Sequence, residues 1–346
     1  MGVYIPISPC QSFHLLTFSI PSHSCTRDDS VTRITLHEKS PLHEAFGINE
    51  QDFYNEMILS EYKFCLAQSQ LGFKDSYIKH RRWLVDWTCH LCENIGLITS
   101  TAHCAIFFFD KIVSTRPDIP QRKWQLLCLA CVSVACKYEE AEDDCPWIPE
   151  LMKAADLRGH SSAWFRDKGE VCVLKMLNWN LRALPPIHFV NYYLSGGVLF
   201  DDDIWRGKNN VTAKTVTAVK RFSHFFCSLC LQTEAFCRHR PSLIASAIIL
   251  VTRIVLDIER AWRVELAYRT GYRKKDILKA AQKILSFYKE DHPAHYEEMR
   301  RTYFGRCGNA TDHVDDIGDT NRGDRIEIQA LIDGVECVAL EESQTL

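Results

Sequence analysis

The sequence predicts an all-α fold of two tandem five-helix repeats preceded by one further helix. Apolar residues recur at three- and four-residue intervals along most of the chain, and the two-residue alternation typical of strands is absent. Five helical patterns precede the break "ALPPIH" (183–188), and five of similar order and length follow it. This self-similarity predicts an internal duplication with a period of roughly 100 residues.

Composition and charge are those of a globular protein and exclude several classes of function. The chain has 346 residues, of which 46% are hydrophobic and 25% charged, with a net charge of −3. This balance gives no general attraction to nucleic acid, and we expect no nucleic-acid partner. No stretch reaches the roughly 18 apolar residues of a membrane span, so we expect no membrane association. Residues 1–26 lack the basic start of a signal peptide. We therefore expect a protein of the nucleus or the cytoplasm, or both, that is not secreted.

Changes in composition divide the chain into four parts. Residues 1–47 are rich in Ser, Pro and His without a period, and we expect them to be disordered. Residues 48–182 hold the N-terminal helix and the first repeat, and residues 183–292 hold the second. Residues 293–346, rich in Asp and Glu towards their end, are expected to form a mostly flexible acidic tail, in which residues 325–332 could pair as a strand.

The helices of the first half follow from apolar spacing and from their end signals. The N-terminal helix, 48–70, ends before Gly72, and the next helix ends at Gly96. A helix beginning at Thr99 or Ser100 has a capping residue at its start and Pro117 beyond its end. The five predicted segments of the first repeat are 77–95, 99–114, 121–138, 147–155 and 162–179.

The second half repeats this arrangement after the proline break. Its five segments are 187–195, 211–232, 241–257, 261–269 and 274–290. The third segment of each repeat is the most apolar, so we expect the other helices to surround it.

Sixteen cysteines include three C-x-x-C pairs, Cys89/Cys92, Cys128/Cys131 and Cys227/Cys230. Such pairs can hold zinc or carry out redox chemistry when they lie on turns. Here each pair lies within a helical pattern, where this spacing places both thiols on one face. Buried free cysteine behaves as a small apolar residue. We therefore favour core packing, and we expect no metal and no cofactor.

Two charged side chains occur where apolar residues are expected. Arg81 lies in the stripe of "HRRWLVDW" (80–87), and Asp110 lies within "FFFDK" (107–111). A buried charge is costly unless it is paired, and each of these could pair with the other. The alternative is two separate exposed charges. For Lys137 and Glu170, spacing alone favours a weak surface ion pair.

Four segments together resemble the first cyclin box: "RRWLVDW" (81–87), "FFFDKIV" (107–113), "WQLLCLACVSVACKYEE" (124–140) and "EVCVLKMLNWNL" (170–181). They span roughly 100 residues. In the second half, "HFVNYYL" (188–194) and "AYRTGY" (267–272) are most similar to J-type cyclins. The resemblance implies two tandem cyclin-box repeats.

The resemblance also implies roles for single residues. Arg81 and Asp110 would form the internal ion pair of the box, and Leu126 would occupy its core leucine position. Lys137 and Glu170 would contact the backbone of a cyclin-dependent protein kinase. The chain would then be a cyclin, a non-catalytic subunit that activates such a kinase in cell-cycle control.

In many cyclins the first helix of the box presents an apolar patch that docks basic-hydrophobic motifs of substrates and inhibitors. The matching residues here are His80, Trp83, Leu84, Trp87 and Gln125. His90 stands where docking cyclins place a glutamate that receives the arginine of the motif, so we expect weak binding or another preference. A purely structural role for Trp87 remains open.

No catalytic motif is present: the sequence has no Gly-rich phosphate loop, no H-E-x-x-H and no G-x-S-x-G. Two alternatives to a kinase regulator remain. A cyclin-fold adaptor in transcription would need a basic face and, in the best-known type, an N-terminal zinc ribbon. A thiol or zinc protein would use the C-x-x-C pairs.

Overall fold

A computed structural model describes residues 49–64, 72–157, 163, 165–207, 211–309 and 328–333. Residues 1–47, predicted to be disordered, lie outside this part. The regular secondary structure of the described chain is helical, apart from an isolated bridge between Trp205 and Ile258. It divides into two units, and the second combines two separate stretches of sequence.

The first unit contains the described residues between Gly72 and Leu181 and is built around two central helices. Residues 100–110 and 128–136, in the second and third helices of the repeat, are buried without interruption. The third helix of the repeat was expected to be central, and the second is buried as thoroughly because "CAIFFF" leaves it apolar on all sides. The helices of this unit are α2 (Asp75–Asn94), α3 (Thr99–Thr115), α4 (Trp124–Glu139), α5 (Ile148–Ala154) and α6 (Glu170–Met176).

The second unit surrounds one apolar helix, α9 (Pro241–Val255), whose residues from Ile244 to Ile254 are all buried. Small residues Ala245, Ser246 and Ala247 lie within this helix and permit close approach of its neighbours. The helices of this unit are α1 (Glu50–Phe64), α7 (Pro186–Ser195), α8 (Ala213–Leu231), α9 (Pro241–Val255), α10 (Val264–Thr270), α11 (Lys274–Asp291) and α12 (Pro293–Asn309), followed by helical residues 328–333, labelled α13.

Helix α1 packs on the second unit, whereas the predicted division grouped it with the first repeat in 48–182. Its buried residues Tyr54, Met57 and Glu61 are spaced to share one helical face. The Tyr54 ring stacks on Tyr192 at 5.2 Å between centroids, and the Tyr54 hydroxyl donates to the carbonyl oxygen of Thr270 at 2.7 Å. The partners of this face come from the second repeat, which sequence spacing could not indicate.

Two described parts of the tail that was expected to be mostly flexible, 293–346, are helical: α12 and residues 328–333. Helix α12 begins directly after α11, and its Tyr296 and Met299 are buried. A strand was considered for residues 325–332, of which the described residues 328–332 are instead helical, with Ile328, Leu331 and Ile332 buried. These three occupy positions i, i+3 and i+4, which is a helical spacing.

Predicted and observed helix bounds agree to within a few residues for most segments. The exception is 162–179, where α6 begins at Glu170 after a π-helical turn over Phe165–Gly169. Residues 158–162 and 164 lie outside the described part. Among the described residues, no helix combines the length and apolarity that crossing a membrane requires.

Candidate partner-binding site in the first unit

Arg81 and Asp110 form a buried two-point ion pair between α2 and α3. The Arg81 Nε donates to Asp110 Oδ1 at 3.0 Å, and Nη2 donates to Oδ2 at 2.8 Å. Both side chains are 2% exposed. The Tyr77 hydroxyl also donates to Asp110 Oδ1, at 2.5 Å. Burial raises the pKa of Tyr77, so this phenol is a neutral donor.

Tyr77 was not identified from the sequence, although it lies four residues before Arg81 and therefore on the same face of α2. This face also carries Leu84, Val85 and Thr88, which are all buried. Because the face is otherwise apolar, the ion pair and the phenol satisfy one another inside the unit. Their role is to hold α2 against α3.

Lys137 and Glu170 are brought together at the end of α4 and the start of α6. Lys137 Nζ lies 2.6 Å from Glu170 Oε2, and Ser133 Oγ donates to Glu170 Oε1 at 2.6 Å. The Lys137 side chain is 58% exposed, whereas that of Glu170 is 13% exposed. A carboxylate fixed from two sides therefore holds an ammonium group at the surface. The sequence did not indicate Ser133, one turn before Lys137 on α4.

Leu126 does not lie in the core, as its expected role would require. It is half-buried in the first turn of α4, while Leu129 in the next turn is fully buried. The core-facing side of α4 becomes continuous only from Cys128 onward. Leu126 thus packs at the edge of the unit.

The predicted docking residues lie on or beside α2 at different depths. Trp83 is 49% exposed, and His80, Trp87 and Gln125 are half-buried. The His80 ring lies 6.0 Å from the ring of Trp124, which precedes Gln125 in α4. Leu84 is 1% exposed and belongs to the core, so its assignment to a docking surface is corrected. The apolar face of α2 that packs on α3 includes position 84.

Three further aromatic side chains of the first unit are exposed and were not singled out from the sequence: Tyr138, Trp147 and Trp179. Tyr138 directly follows Lys137, and Trp147 is 78% exposed just before α5. Trp179 follows α6 with a φ of 58°, a left-handed conformation that is rare for a bulky residue. Exposed aromatic side chains are typical of surfaces that bind other proteins. Their signal in the sequence is a large aromatic residue among charged or turn-forming neighbours.

The second unit contains a buried arginine that the reasoning used for Arg81 would have identified. Arg253 lies in the apolar helix α9, and its Nη1 and Nη2 donate to the two carboxylate oxygens of Asp203 at 2.7 and 2.9 Å. Both side chains are fully buried. Arg263 also contacts Asp203, at 3.1 Å. This cluster joins the turn after α7 to α9 and the start of α10.

The cysteines of the C-x-x-C pairs lie in helices, as expected. Cys92, Cys128, Cys131, Cys227 and Cys230 are buried. Burial raises the pKa of Cys128 to about 12 and that of Cys131 well above its usual range. Because the thiolate is the form that binds metals and attacks electrophiles, this environment disfavours both activities.

The two helical units, the first built around two central helices and the second around one, and the buried ion pair of the first unit define a tandem cyclin-box protein. The chain belongs to the cyclin family. The family model for the cyclin N-terminal domain matches residues 52–182, and the model for the C-terminal domain matches residues 186–311.

Relatives include J-type cyclins, the subtype that the second repeat resembled. The chain is 26% identical over 251 residues to Cyclin-J of Xenopus laevis and 25% identical over 251 residues to Cyclin-J of Homo sapiens. Each match covers 71% of this chain and 62% of the relative, so the chain spans about three fifths of their length. A viral cyclin from herpesvirus saimiri has a similar fold, with a TM-score of 0.53 at 15% identity, over 68% of this chain and 96% of that chain.

Proposed function

We propose that this chain is a regulatory subunit that binds and activates a cyclin-dependent Ser/Thr protein kinase in cell-cycle control. The observation that carries the proposal is the Lys137–Glu170 pair at the surface of the first unit. Membership of the cyclin family supports the class of partner. The chain itself would contribute no catalytic group.

The pair is suited to binding a protein backbone. An ammonium group has three N–H donors, and the carboxylate has further acceptor sites beyond its bonds to Lys137 and Ser133. Because Glu170 is held in place before any partner arrives, binding costs less conformational entropy. Charge-assisted hydrogen bonds to carbonyl and amide groups are stronger than neutral ones. Tyr138, next in sequence, adds exposed apolar area.

Activation would be conformational. A kinase is active when the ion pair between its own lysine and the glutamate of its mobile helix is formed and its activation loop is open. A subunit that binds this conformation more tightly shifts the population towards it. A shift from 1:99 to 99:1 needs about 5.5 kcal/mol of differential binding, which requires a large interface. The exposed aromatic residues and the Lys137–Glu170 pair would form part of that interface.

The proposal is tested with tagged full-length protein in cell extract, by identifying bound kinases and assaying kinase activity on the beads. The wild type should retain a Ser/Thr kinase and its activity. In the double variant Lys137→Ala, Glu170→Ala, the amount of bound kinase and the kinase activity on the beads should both fall at least tenfold. The charge-exchanged variant Lys137→Glu, Glu170→Lys keeps an internal ion pair but should also lose binding, because it presents the opposite charges.

A matched control is Arg116→Ala, Asp118→Ala, which removes an exposed ion pair of 3.4 Å from the same unit. This variant should behave as the wild type. If folded wild-type protein retains no kinase, or if the charge-exchanged variant binds normally, the activator proposal is wrong. The cyclin-fold adaptor in transcription would then take its place.

The surface around Trp83 is a second contact point that we propose for substrates or inhibitors of the kinase. Trp83, Trp87, His80 and Gln125 offer apolar area with polar edges. His90 is exposed on the same helix and supplies no carboxylate for an arginine. Binding of a basic-hydrophobic motif should therefore be weak.

The substitution His90→Glu should raise the affinity for a peptide carrying Arg-x-Leu by several-fold, because it adds the missing charge near the patch. Fluorescence anisotropy of a labelled peptide measures this. The control is Glu93→Gln, which removes an exposed negative charge one turn further along the same helix. It should not raise the affinity for the peptide. An unchanged affinity in His90→Glu would show that the patch does not dock this motif.

A further inference from the structure

Residues 328–333 lie beyond both family-model matches, the second of which ends at residue 311. They nevertheless pack into the apolar core of the second unit. Ile328, Leu331 and Ile332 are 7%, 2% and 1% exposed and belong to the same apolar cluster as Tyr296 and Met299 of α12. The segment is therefore an addition that occupies a surface of the cyclin fold.

We define the surface that receives this segment as the α12 face, formed by Tyr296, Met299 and Arg300. The Tyr296 hydroxyl donates to the carbonyl oxygen of Ile332 at 2.5 Å. Arg300 Nη2 lies 3.4 Å from Asp333 Oδ1. One face of α12 thus recognises the segment in three ways, through apolar contact, a backbone carbonyl and a carboxylate.

The contacts specify what the α12 face accepts. The segment Ile-Gln-Ala-Leu-Ile-Asp presents branched aliphatic side chains at its first, fourth and fifth positions and a carboxylate at its sixth. Gln329 between them is exposed. Proteins commonly bind a short amphipathic helix by covering its apolar face with an apolar surface of their own.

The segment is covalently attached but is separated from α12 by the eighteen residues 310–327. Its six described residues cover less than two helical turns at 3.6 residues per turn. So short a helix does not form on its own and depends on packing. A segment of this kind can leave its site while the rest of the unit remains folded.

We infer that the α12 face is a docking site for a short amphipathic helix of a partner protein, with branched aliphatic residues at positions one, four and five and a carboxylate at position six. Residues 328–333 occupy this site in cis and compete with the partner. The partner therefore binds when the chain's own segment is displaced. This inference does not depend on kinase binding.

The test uses full-length protein and a fluorescein-labelled peptide copying residues 325–336, with binding followed by anisotropy. Leu331→Asp in the protein should displace the resident segment and raise peptide affinity at least tenfold over the wild type. Gln329→Asp introduces the same charge at an exposed position of the same segment and should leave affinity at the wild-type value. A peptide carrying Leu331→Asp should not bind.

The charge contact gives a second, independent test in the Leu331→Asp protein. Arg300→Glu should weaken the peptide several-fold, and a peptide with Asp333→Lys should recover the loss. If circular dichroism shows that Leu331→Asp has lost helicity, Ile328→Asp at the more exposed end of the segment replaces it.

Peptide affinity in folded Leu331→Asp protein no higher than in Gln329→Asp would overturn the inference. Tight binding that does not respond to Arg300→Glu would overturn it as well. If the wild type is a dimer that Leu331→Asp dissociates, the occupant is the segment of a second copy, and the partner assignment is wrong.

Discussion

At the scale of the residue, the Arg81–Asp110 pair shows how a charge can be necessary inside an apolar unit. Replacing such a pair with apolar residues is often neutral, but removing one partner leaves an uncompensated buried charge. The pair is bidentate, and Tyr77 donates to the same carboxylate. Loss of Arg81 would therefore remove two hydrogen-bond donors and the paired positive charge from the buried carboxylate of Asp110.

We expect Arg81→Ala to lower the free energy of unfolding by about 3–5 kcal/mol, as for other broken buried pairs. Urea denaturation followed by circular dichroism measures the change. Arg116→Ala breaks the exposed pair with Asp118 and should cost less than about 1 kcal/mol. Equal effects of the two substitutions would contradict a special role for burial at Arg81.

The sequence predicted the proximity of Arg81 and Asp110 because each is a charge in an apolar pattern. Tyr77 was missed because a tyrosine in such a pattern is ordinary, and its hydroxyl gives no signal until a partner is known. Leu84 was expected at the docking surface but is buried, and Leu126 was expected in the core but is only half-buried. Both differences have one cause. Helical spacing places a residue on a face but does not tell how deeply a neighbouring helix covers it.

At the scale of the element, α1 is held on its one buried face by polar as well as apolar contacts. Glu61 is 2% exposed, and its carboxylate accepts hydrogen bonds from the backbone N–H of Ser242 at 2.6 Å and from its hydroxyl at 2.8 Å. Ser242 lies in the first turn of α9, where backbone N–H groups have no partner within the helix. A side chain of α1 thus caps a helix that begins 180 residues later.

This cap should make stability depend on pH. Burial is the largest influence on Glu61 and raises its pKa above 4.5, although the Ser242 hydrogen bonds act in the opposite direction. A carboxyl group whose pKa is raised on folding contributes fully below the pKa of the unfolded state and loses its contribution as the pH rises through the folded pKa. The free energy of unfolding of the wild type minus that of Glu61→Gln should therefore fall as the pH rises above 4.5.

Urea denaturation of both proteins at several pH values measures this difference, in which the other titrating groups cancel. Glu56→Gln, an exposed position on the same helix, should give a difference that does not vary with pH. A difference for Glu61→Gln that rises with pH would show that hydrogen bonding outweighs burial.

The favourable and unfavourable contributions to the free energy of packing α13 onto the second unit are nearly equal. Burying three branched aliphatic side chains contributes about 1.5–3 kcal/mol each, or about 5–9 kcal/mol in all. Ordering six residues costs about 1.5 kcal/mol each, or about 9 kcal/mol. The near cancellation explains how such a segment can be both buried and replaceable.

At the scale of the whole molecule, the cysteines are part of the packing of both units. We expect alkylation of native protein with iodoacetamide, mapped by mass spectrometry, to label the exposed Cys172 within minutes. The buried Cys128, Cys131 and Cys227 should react only in urea, since burial raises their pKa and blocks access. If a chelator made these thiols reactive in native protein, the alternative of a zinc protein would be supported instead.

The architecture was largely predictable because both repeats have long amphipathic or wholly apolar helices with glycine or proline at their ends. The packing partners of α1 were not predictable, because its buried face is compatible with either repeat. The order in 328–333 was obscured by acidic surroundings typical of flexible tails. The exposed Trp179 depends on a left-handed backbone that no local pattern predicts.

The contact of Tyr54 with Thr270, 216 residues apart, has a consequence for biosynthesis. Chains grow at about 5–20 residues per second, so α1 leaves the ribosome roughly 10–40 seconds before its binding partners are made. During that interval its apolar face has no place in the second unit, while the first unit can already fold. The earliest helix of the described chain therefore reaches its place on the second unit only when synthesis is nearly complete.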